Sequence, residues 1–437
     1  MKHPVQRIIQ EHKRTSTKGI YSICSANRYV LQAAMKQARE DRSLLLVEAT
    51  SNQVDQFGGY TGMTPLDFRN YVNSIAKEIN FQSSSVILGG DHLGPNVWQD
   101  QPANIAMNHA LDQIQAYIQA GFTKIHLDAS MPLGDDEHDP DLPLNSYFVA
   151  QRSAELCQAA EKMHHKIQPK GFKPVYVIGT DVPVPGGAKS TMEKIRITPV
   201  GEVEEIITLT KEAFTKRGLE NAWQRVVAVV VQPGVEFSDD KISAYDPHRA
   251  RQLSAYIAGN PQLVYEAHST DYQLPGALRK MVEDHMAILK VGPWLTYAFR
   301  EAVFSLAMIE KEISGLHKSI TPSNIIPILE QVMMNEPKYW NKYYLGNEAQ
   351  KSFARKYSLS DRIRYYWPQK AVVKALNKLL GNLQRNPAPH SLLSQYMPSQ
   401  YQALRVGLIT DQPLDLIHHK IREVLEIYSA ATRLNEK

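Results

Sequence analysis

The stretch Ser85-Val86-Ile87-Leu88-Gly89-Gly90-Asp91-His92-Leu93-Gly94-Pro95 decides the fold. A short apolar run of β type ends in a carboxylate and an imidazole, framed by glycines that let the chain turn. Three other stretches repeat the plan: Lys124-Ile125-His126-Leu127-Asp128-Ala129-Ser130, Val175-Tyr176-Val177-Ile178-Gly179-Thr180-Asp181 and Leu263-Val264-Tyr265-Glu266-Ala267-His268-Ser269. Apolar strands that all end in polar, reactive side chains describe the rim of a β/α barrel, where the strand C-termini build the site.

Working outward, eight such runs can be read: 19–26, 43–50, 85–92, 124–130, 175–181, 226–234, 262–269 and 287–293. Helix-like segments long enough for crossovers separate them, and near-continuous apolar strands are what a parallel sheet covered on both faces requires. Eight units predict a closed (β/α)8 TIM barrel of α/β class over residues 1–315. Apolar Leu295, Ala298, Phe299, Ala302, Val303 and Leu306 recur at helical spacing and mark the eighth barrel helix. From 316 to 437 the alternation stops, and helices such as 371–383 and 414–431 predict a mainly helical C-terminal region packed on the barrel.

Composition narrows the function classes. The 437 residues carry a formal charge of +4 with basic and acidic groups interspersed, which gives no support to nucleic-acid binding. Two cysteines, Cys24 and Cys157, without CxxC spacing, fit a reducing cytoplasm. Met1 to Arg7 lack the apolar core of a signal peptide, and no segment has the roughly 18 to 20 apolar residues of a membrane span. A cytoplasmic protein is expected. No GxxxxGK[ST] cradle for a nucleotide is present, which argues against a kinase.

Two loops invite a ligand reading. Asp135 to Asp141 is acidic and follows the fourth strand; it lacks EF-hand spacing and reads first as solvated. Gln53 to Pro65 follows the second strand and either closes over a ligand or simply turns into a helix capped by Thr64-Pro65.

The rim residues carry the chemistry. His92 and His268 fall at inferred strand ends that folding would bring together, and imidazoles plus a carboxylate are the usual shell of a catalytic zinc. Asp181, Asp128, Glu266 and Glu48 are the carboxylates of that rim. Each lone histidine reads equally well as a hydrogen-bonded rim residue. Adjacent strand residues point to opposite faces, so Asp91 and His92 serve one site only if the strand end twists. Asp91 is then either a base beside a metal or a partner that orients His92. The loops after strands seven and eight, 269–273 and 292–296, offer hydroxyls and a helix N-terminus to a sugar phosphate, although Asp271 opposes an anion there.

Long blocks then carry a family resemblance. Val47 to Val54 running into Gln56 to Pro65, Gly89 to Pro95, Ile125 to Ser130, Val182 to Gly187, Val231 to Phe237, Tyr265 to Gln273, Leu289 to Pro293 and Ser358 to Pro368 together resemble the Z-type (GatZ/KbaZ-like) subunit of class II D-tagatose-1,6-bisphosphate aldolases of galactitol and N-acetylgalactosamine catabolism. The resemblance implies a barrel related to class II aldolases. It also implies a non-catalytic accessory subunit, needed for the full activity and stability of a smaller catalytic Y-type subunit. Some relatives resemble metal-dependent ketose 4-epimerases that act on tagatose 6-phosphate or a related sugar.

Compared with catalytic class II aldolases, Asp91-His92 resembles their base and metal-ligand pair, Asp128-Ala129-Ser130 their Asp-Gly-Ser, and His268 their strand-seven histidine. Gln232 stands where they carry a histidine ligand, and Ala267 to Asp271 replaces their Gly-Gly-Ser-Gly phosphate loop. These departures imply that the chain does not cleave the bisphosphate by itself. Within the Z-type family, Asp181 replaces the usual Glu and Asn27 the usual His. If the site works as an epimerase, the resemblance implies His92, Asp181 and His268 as ligands of a divalent metal such as zinc or manganese, with Asp91, Asp128 and Glu236 as catalytic carboxylates. The block from Ser358 to Pro368, rich in Arg and aromatics, is either a subunit contact or packs the helical region onto the barrel.

Overall fold

A computed structural model describes residues 2–137, 144–168, 170–179, 195–316 and 319–436. Ten strands occur among them: β1 (Ile20–Ile23), β2 (Leu45–Thr50), β3 (Val86–Leu93), β4 (Lys124–Leu127), β5 (Val175–Gly179), β6 (Val226–Val231), β7 (Glu236–Phe237), β8 (Ile242–Ser243), β9 (Val264–Ala267) and β10 (Ile288–Val291). β7 and β8 form a small antiparallel hairpin, while the other eight close into one parallel barrel in the order β1-β10-β9-β6-β5-β4-β3-β2. The TIM barrel expected from the eight apolar runs is therefore present, one strand per run.

The outer ring follows from helix signals in the sequence. Asn27 caps the helix Arg28–Asp41 by accepting from the amides of Tyr29 and Val30 at 2.9 and 3.3 Å. Thr64 and Asp67 form a reciprocal capping box at the start of Pro65–Glu78. The eighth barrel helix runs from Pro293 to Leu316. Beyond it come helices Ile325–Asn335, Glu348–Tyr357, Lys370–Arg385, His390–Tyr396, Pro398–Arg405 and Pro413–Thr432. The last of these returns to the ring and packs against Arg28–Asp41, Pro275–Glu283 and Pro293–Leu316.

Inside the barrel, alternation along the strands stacks side chains in layers. The lower part is apolar: Ile20, Leu46, Ile87, Val175, Val177, Ala228, Val230, Val264 and Ile288 pack into one cluster. Helix Pro4–Thr15 closes the bottom with Val5 and Ile9. The upper part, toward the strand C-termini, is charged. No helix among the described residues is long and apolar enough to cross a membrane.

Candidate functional site

The charged layer starts from inward positions of β2, β4, β9 and β10. Glu48, Lys124 and Glu266 are fully buried, and Lys290 nearly so. Lys124 Nζ donates to Glu48 Oε1 and Oε2 at 2.8 and 2.9 Å and lies 2.5 Å from Glu266 Oε2. Lys290 Nζ lies 2.7 Å from Glu48 Oε2 and 2.9 Å from Asp91 Oδ1, and Ser22 Oγ donates to Glu48 Oε1 at 2.7 Å. Gly89 makes this packing possible, because a Cβ there would meet Glu48 Cγ at 2.7 Å and Lys124 Cδ at 3.3 Å. Formally, three carboxylates (Glu48, Asp91 and Glu266) face two ammonium groups.

Above this layer the end of β3 bends. Its register with β4 shifts between Gly90 and Leu93, and His92 takes φ 51°, in the left-handed region. This irregularity brings Asp91 and His92 to the same mouth, the twist that a shared role of neighbouring residues requires. Gly94 completes the turn where Asp128 O approaches so closely that a Cβ would lie 1.7 Å from it.

Four buried groups, Asp91, His126, Glu266 and His268, then offer ligand atoms that all lie within 4.8 Å of one another. Two imidazoles and two carboxylates are an ordinary donor set for zinc or manganese. The fit is good in a second respect: the buried His126 Nε2 has no hydrogen-bond partner. His268 is pushed down to about 4, first by burial, with the hydrogen bond to Glu266 opposing, so the ring is neutral at pH 7 as a ligand must be. Its Nε2 lies 3.0 Å from Glu266 Oε1. Burial also opposes charge on Asp91 and Glu266. The charges of His92 and Lys290 hold Asp91 well below the usual carboxylate range, and those of Lys124 and Lys290 do the same for Glu266.

The residues expected from sequence are placed as follows. His92 stands beside His268, ring centroids 4.8 Å apart, but lies outside the four-group cluster; its Nδ1 is 2.8 Å from Asp128 Oδ2. Burial lowers its basicity, yet Asp91 and Asp128 outweigh that and raise it overall. Asp128 also accepts from Asn96 Nδ2 at 2.6 Å and from Ser130 N and Oγ at 3.1 and 2.7 Å, so all of its strong contacts orient neighbours. Glu236 is buried in the hairpin, accepts from the Phe237 amide at 3.0 Å, and is pushed up to about 7 by burial. Asp181 and His138 to Asp141 lie outside the described residues. In the first part of the acidic loop, Asp136 is tied to Arg152 at 2.6 and 2.8 Å.

Sequence reading did not single out His126 as a ligand, nor Lys124 and Lys290 as the cations beneath the site. The signal was present in the period of two: Lys124, His126 and Asp128 alternate along one strand, as do Glu266 and His268 along another.

Two residues that the sequence comparison set against aldolase positions, Gln232 and Asp271, bind within the chain itself. Gln232 Oε1 accepts from the Gly234 amide at 2.8 Å and shapes its own loop. Asp271 Oδ1 accepts from the Gly292 and Trp294 amides at 3.0 and 2.8 Å, which fills the N-terminus of helix Pro293–Leu316 with a carboxylate of the chain itself. Burial, opposed by those same amides, pushes Asp271 up to about 6.

A cavity of about 80 Å³ lies over the cluster, lined by Asp91, His92, His268, Lys290, Arg364 and Tyr365 among others. It shares Cys24, Gln53, Tyr60, Gly292 and Arg364 with a neighbouring cavity of about 470 Å³, whose walls include Tyr29, Tyr71, Phe299 and Trp367. The loop 53–65 thus lines the mouth through Gln53 and Tyr60. The segment 358–368 packs over the mouth as well: Tyr60 meets Tyr365 edge-on at 4.7 Å, and Asp361 accepts from Thr296 Oγ1 at 2.5 Å.

Comparison with known proteins agrees with this architecture. The model of the family described as D-tagatose-1,6-bisphosphate aldolase subunit GatZ/KbaZ-like matches residues 5–433. The D-tagatose-1,6-bisphosphate aldolase subunit GatZ of Klebsiella pneumoniae subsp. pneumoniae is 48% identical over 96% of this chain and 97% of its own length. That of Klebsiella oxytoca is 48% identical over 96% and 98%. A crystal structure described as a probable tagatose 6 phosphate kinase from Sinorhizobium meliloti 1021 is 41% identical, with a TM-score of 0.86 over 95% of this chain and 100% of that one.

Proposed function

The chain belongs to the D-tagatose-1,6-bisphosphate aldolase subunit GatZ/KbaZ-like family, and on that premise we propose that it serves as the accessory subunit of a tagatose-bisphosphate aldolase in carbohydrate metabolism. In this reading it binds and stabilises a smaller, catalytic class II aldolase chain and does not cleave the bisphosphate itself. The observation that carries it is the Asp271 carboxylate on the Gly292 and Trp294 amides. A helix N-terminus where a barrel enzyme commonly receives phosphate is occupied by the chain's own anion. The engagement of Gln232 with its own loop points the same way. The test is co-expression with a smaller class II aldolase subunit followed by size-exclusion chromatography. The two chains are expected to elute as one complex; separate elution with both folded would reject the accessory role.

A second reading is favoured by a different observation, the Asp91, His126, Glu266 and His268 cluster. A divalent metal held there would polarise substrate oxygens and stabilise an oxyanion. The chain's own residues suit a metal-dependent 4-epimerase of tagatose 6-phosphate: with His126, Glu266 and His268 as the groups that would hold the ion, the ionised Asp91 is left at the mouth as a base, and Asp128 fixes the ring of His92. Purified protein incubated with tagatose 6-phosphate and zinc or manganese should then yield fructose 6-phosphate, a product lost with chelator and in His268→Ala. No conversion with any metal would leave the cluster as a binding site only.

A further inference from the structure

We propose that Arg364 grips the phosphate of a ketose monophosphate at the junction of the two mouth cavities, with the sugar lying over Asp91, His268 and Lys290. The proposal rests on the reading that this family handles tagatose phosphates, and adds where the anion is held.

The first support is electrostatic. Lys290 is paired with Glu48 and Asp91, and Arg28 with Glu78. Arg364 faces both cavities, is only half-buried, and has no ion pair to a carboxylate among the described residues. Asp271 and Asp361 act on it only from beyond ion-pair distance, and among the described residues it is the lining cation without a carboxylate partner.

The second support is geometric. Arg364 Nη1 donates to the carbonyls of Ser360 and Asp361, the latter at 3.0 Å, and Nη2 donates to Tyr365 Oη at 3.0 Å. The guanidinium also lies 4.6 Å from the centroid of the Tyr365 ring. Three of its five N–H donors are therefore used to fix its plane, which leaves the Nε proton and one Nη2 proton for a ligand. Nε and Nη2 form one edge of the guanidinium, the kind of fork that matches two phosphate oxygens.

The third support is the loss of the alternative. Asp271 occupies the helix N-terminus after β10, so an incoming phosphate has no amide cradle there and must find a cation elsewhere in the mouth. Among the described residues, one available cation and one filled cradle fit a monophosphate better than a bisphosphate. The C-terminal segment 358–368 then contributes the anion-recognising group of a site whose other parts come from the barrel.

Isothermal titration calorimetry on the full-length protein tests this with D-tagatose 6-phosphate, D-tagatose and inorganic phosphate as probes. Wild type is expected to bind the phosphorylated sugar more tightly than the free one, by roughly 10- to 100-fold, the size of a charge-assisted hydrogen-bond pair. Arg364→Gln should remove that preference and leave binding of free tagatose unchanged, while Arg364→Lys should restore part of it. Asp271→Asn keeps the capping oxygen but removes a nearby negative charge, and should strengthen phosphate binding several-fold. Equal affinity of wild type for the two sugars, or a preference that survives in a folded Arg364→Gln protein, would overturn the proposal. Complex formation with the smaller aldolase chain reports separately on the accessory role: Arg364→Gln should leave it intact.

Discussion

The floor and the ceiling of the barrel interior are built on the same eight strands with the same alternation, yet their chemistry is opposite. The floor is closed by methyl groups, from Leu46, Ile87 and Val230 down to Val5 and Ile9 of the N-terminal helix. The ceiling is Glu48, Lys124, Glu266, Lys290 and Asp91, charges taken out of water and matched to one another. Burying apolar surface stabilises a fold directly, whereas buried ion pairs repay little more than their desolvation. A barrel that served only as a scaffold would gain by carrying its floor upward. Stability alone does not account for the upper layer; it orients Asp91, His126, Glu266 and His268 at the cavity, as the proposed ligand site requires.

Substitutions in the two layers should separate these roles. Lys124→Met leaves the buried Glu48, Glu266 and Asp91 with Lys290 as their one remaining ammonium and is expected to cost about 3–5 kcal/mol in chemical denaturation. A loss near zero would mean that the ceiling is not held by these pairs. Leu46→Ala on the floor should cost about 3 kcal/mol through a cavity, with zinc or manganese binding unchanged; an equal loss of metal affinity would show that the two layers are coupled. His268→Ala is expected to do the reverse. Stability should change by about 1–2 kcal/mol, the size of the lost hydrogen bond to Glu266, which keeps Lys124, while metal affinity measured by competition with a chelating dye falls more than about tenfold.

The smallest effect concerns Asp361, on the segment over the mouth. Burial pushes its carboxyl from 3.8 up to about 7, against Arg300 and Thr296. Because the folded value lies above the unfolded one, its contribution to stability is intact below about pH 4 and is lost as pH rises through 7. The melting temperature of wild type relative to Asp361→Asn should therefore fall by a few degrees between pH 5.5 and 8. A constant difference across that range would show that Asp361 does not titrate there.

The floor was readable because continuous β-branched runs announce parallel strands, and Thr64-Pro65 announces a helix start. The ceiling was readable only in part. Asp91, His92 and His268 stand at strand tips where polar residues attract notice, whereas His126, Lys124 and Lys290 sit inside apolar runs and show their role only when alternation is followed around a closed barrel. Whether Asp91 or His92 joins the cluster depends on a bulge that sequence can permit but not place. Arg364 reaches the mouth from more than seventy residues beyond β10, through tertiary packing that no local pattern encodes.

In the proposed function this barrel carries a ligand site and a partner chain cleaves the bisphosphate. Tagatose 1,6-bisphosphate cleavage should be measured for this chain alone, for a smaller class II aldolase chain alone, and for the two together, each before and after mild heating. The expected result is no cleavage by this chain with any divalent metal, and activity of the pair that survives heating which inactivates the smaller chain alone. Chelator-sensitive cleavage by this chain on its own would contradict it.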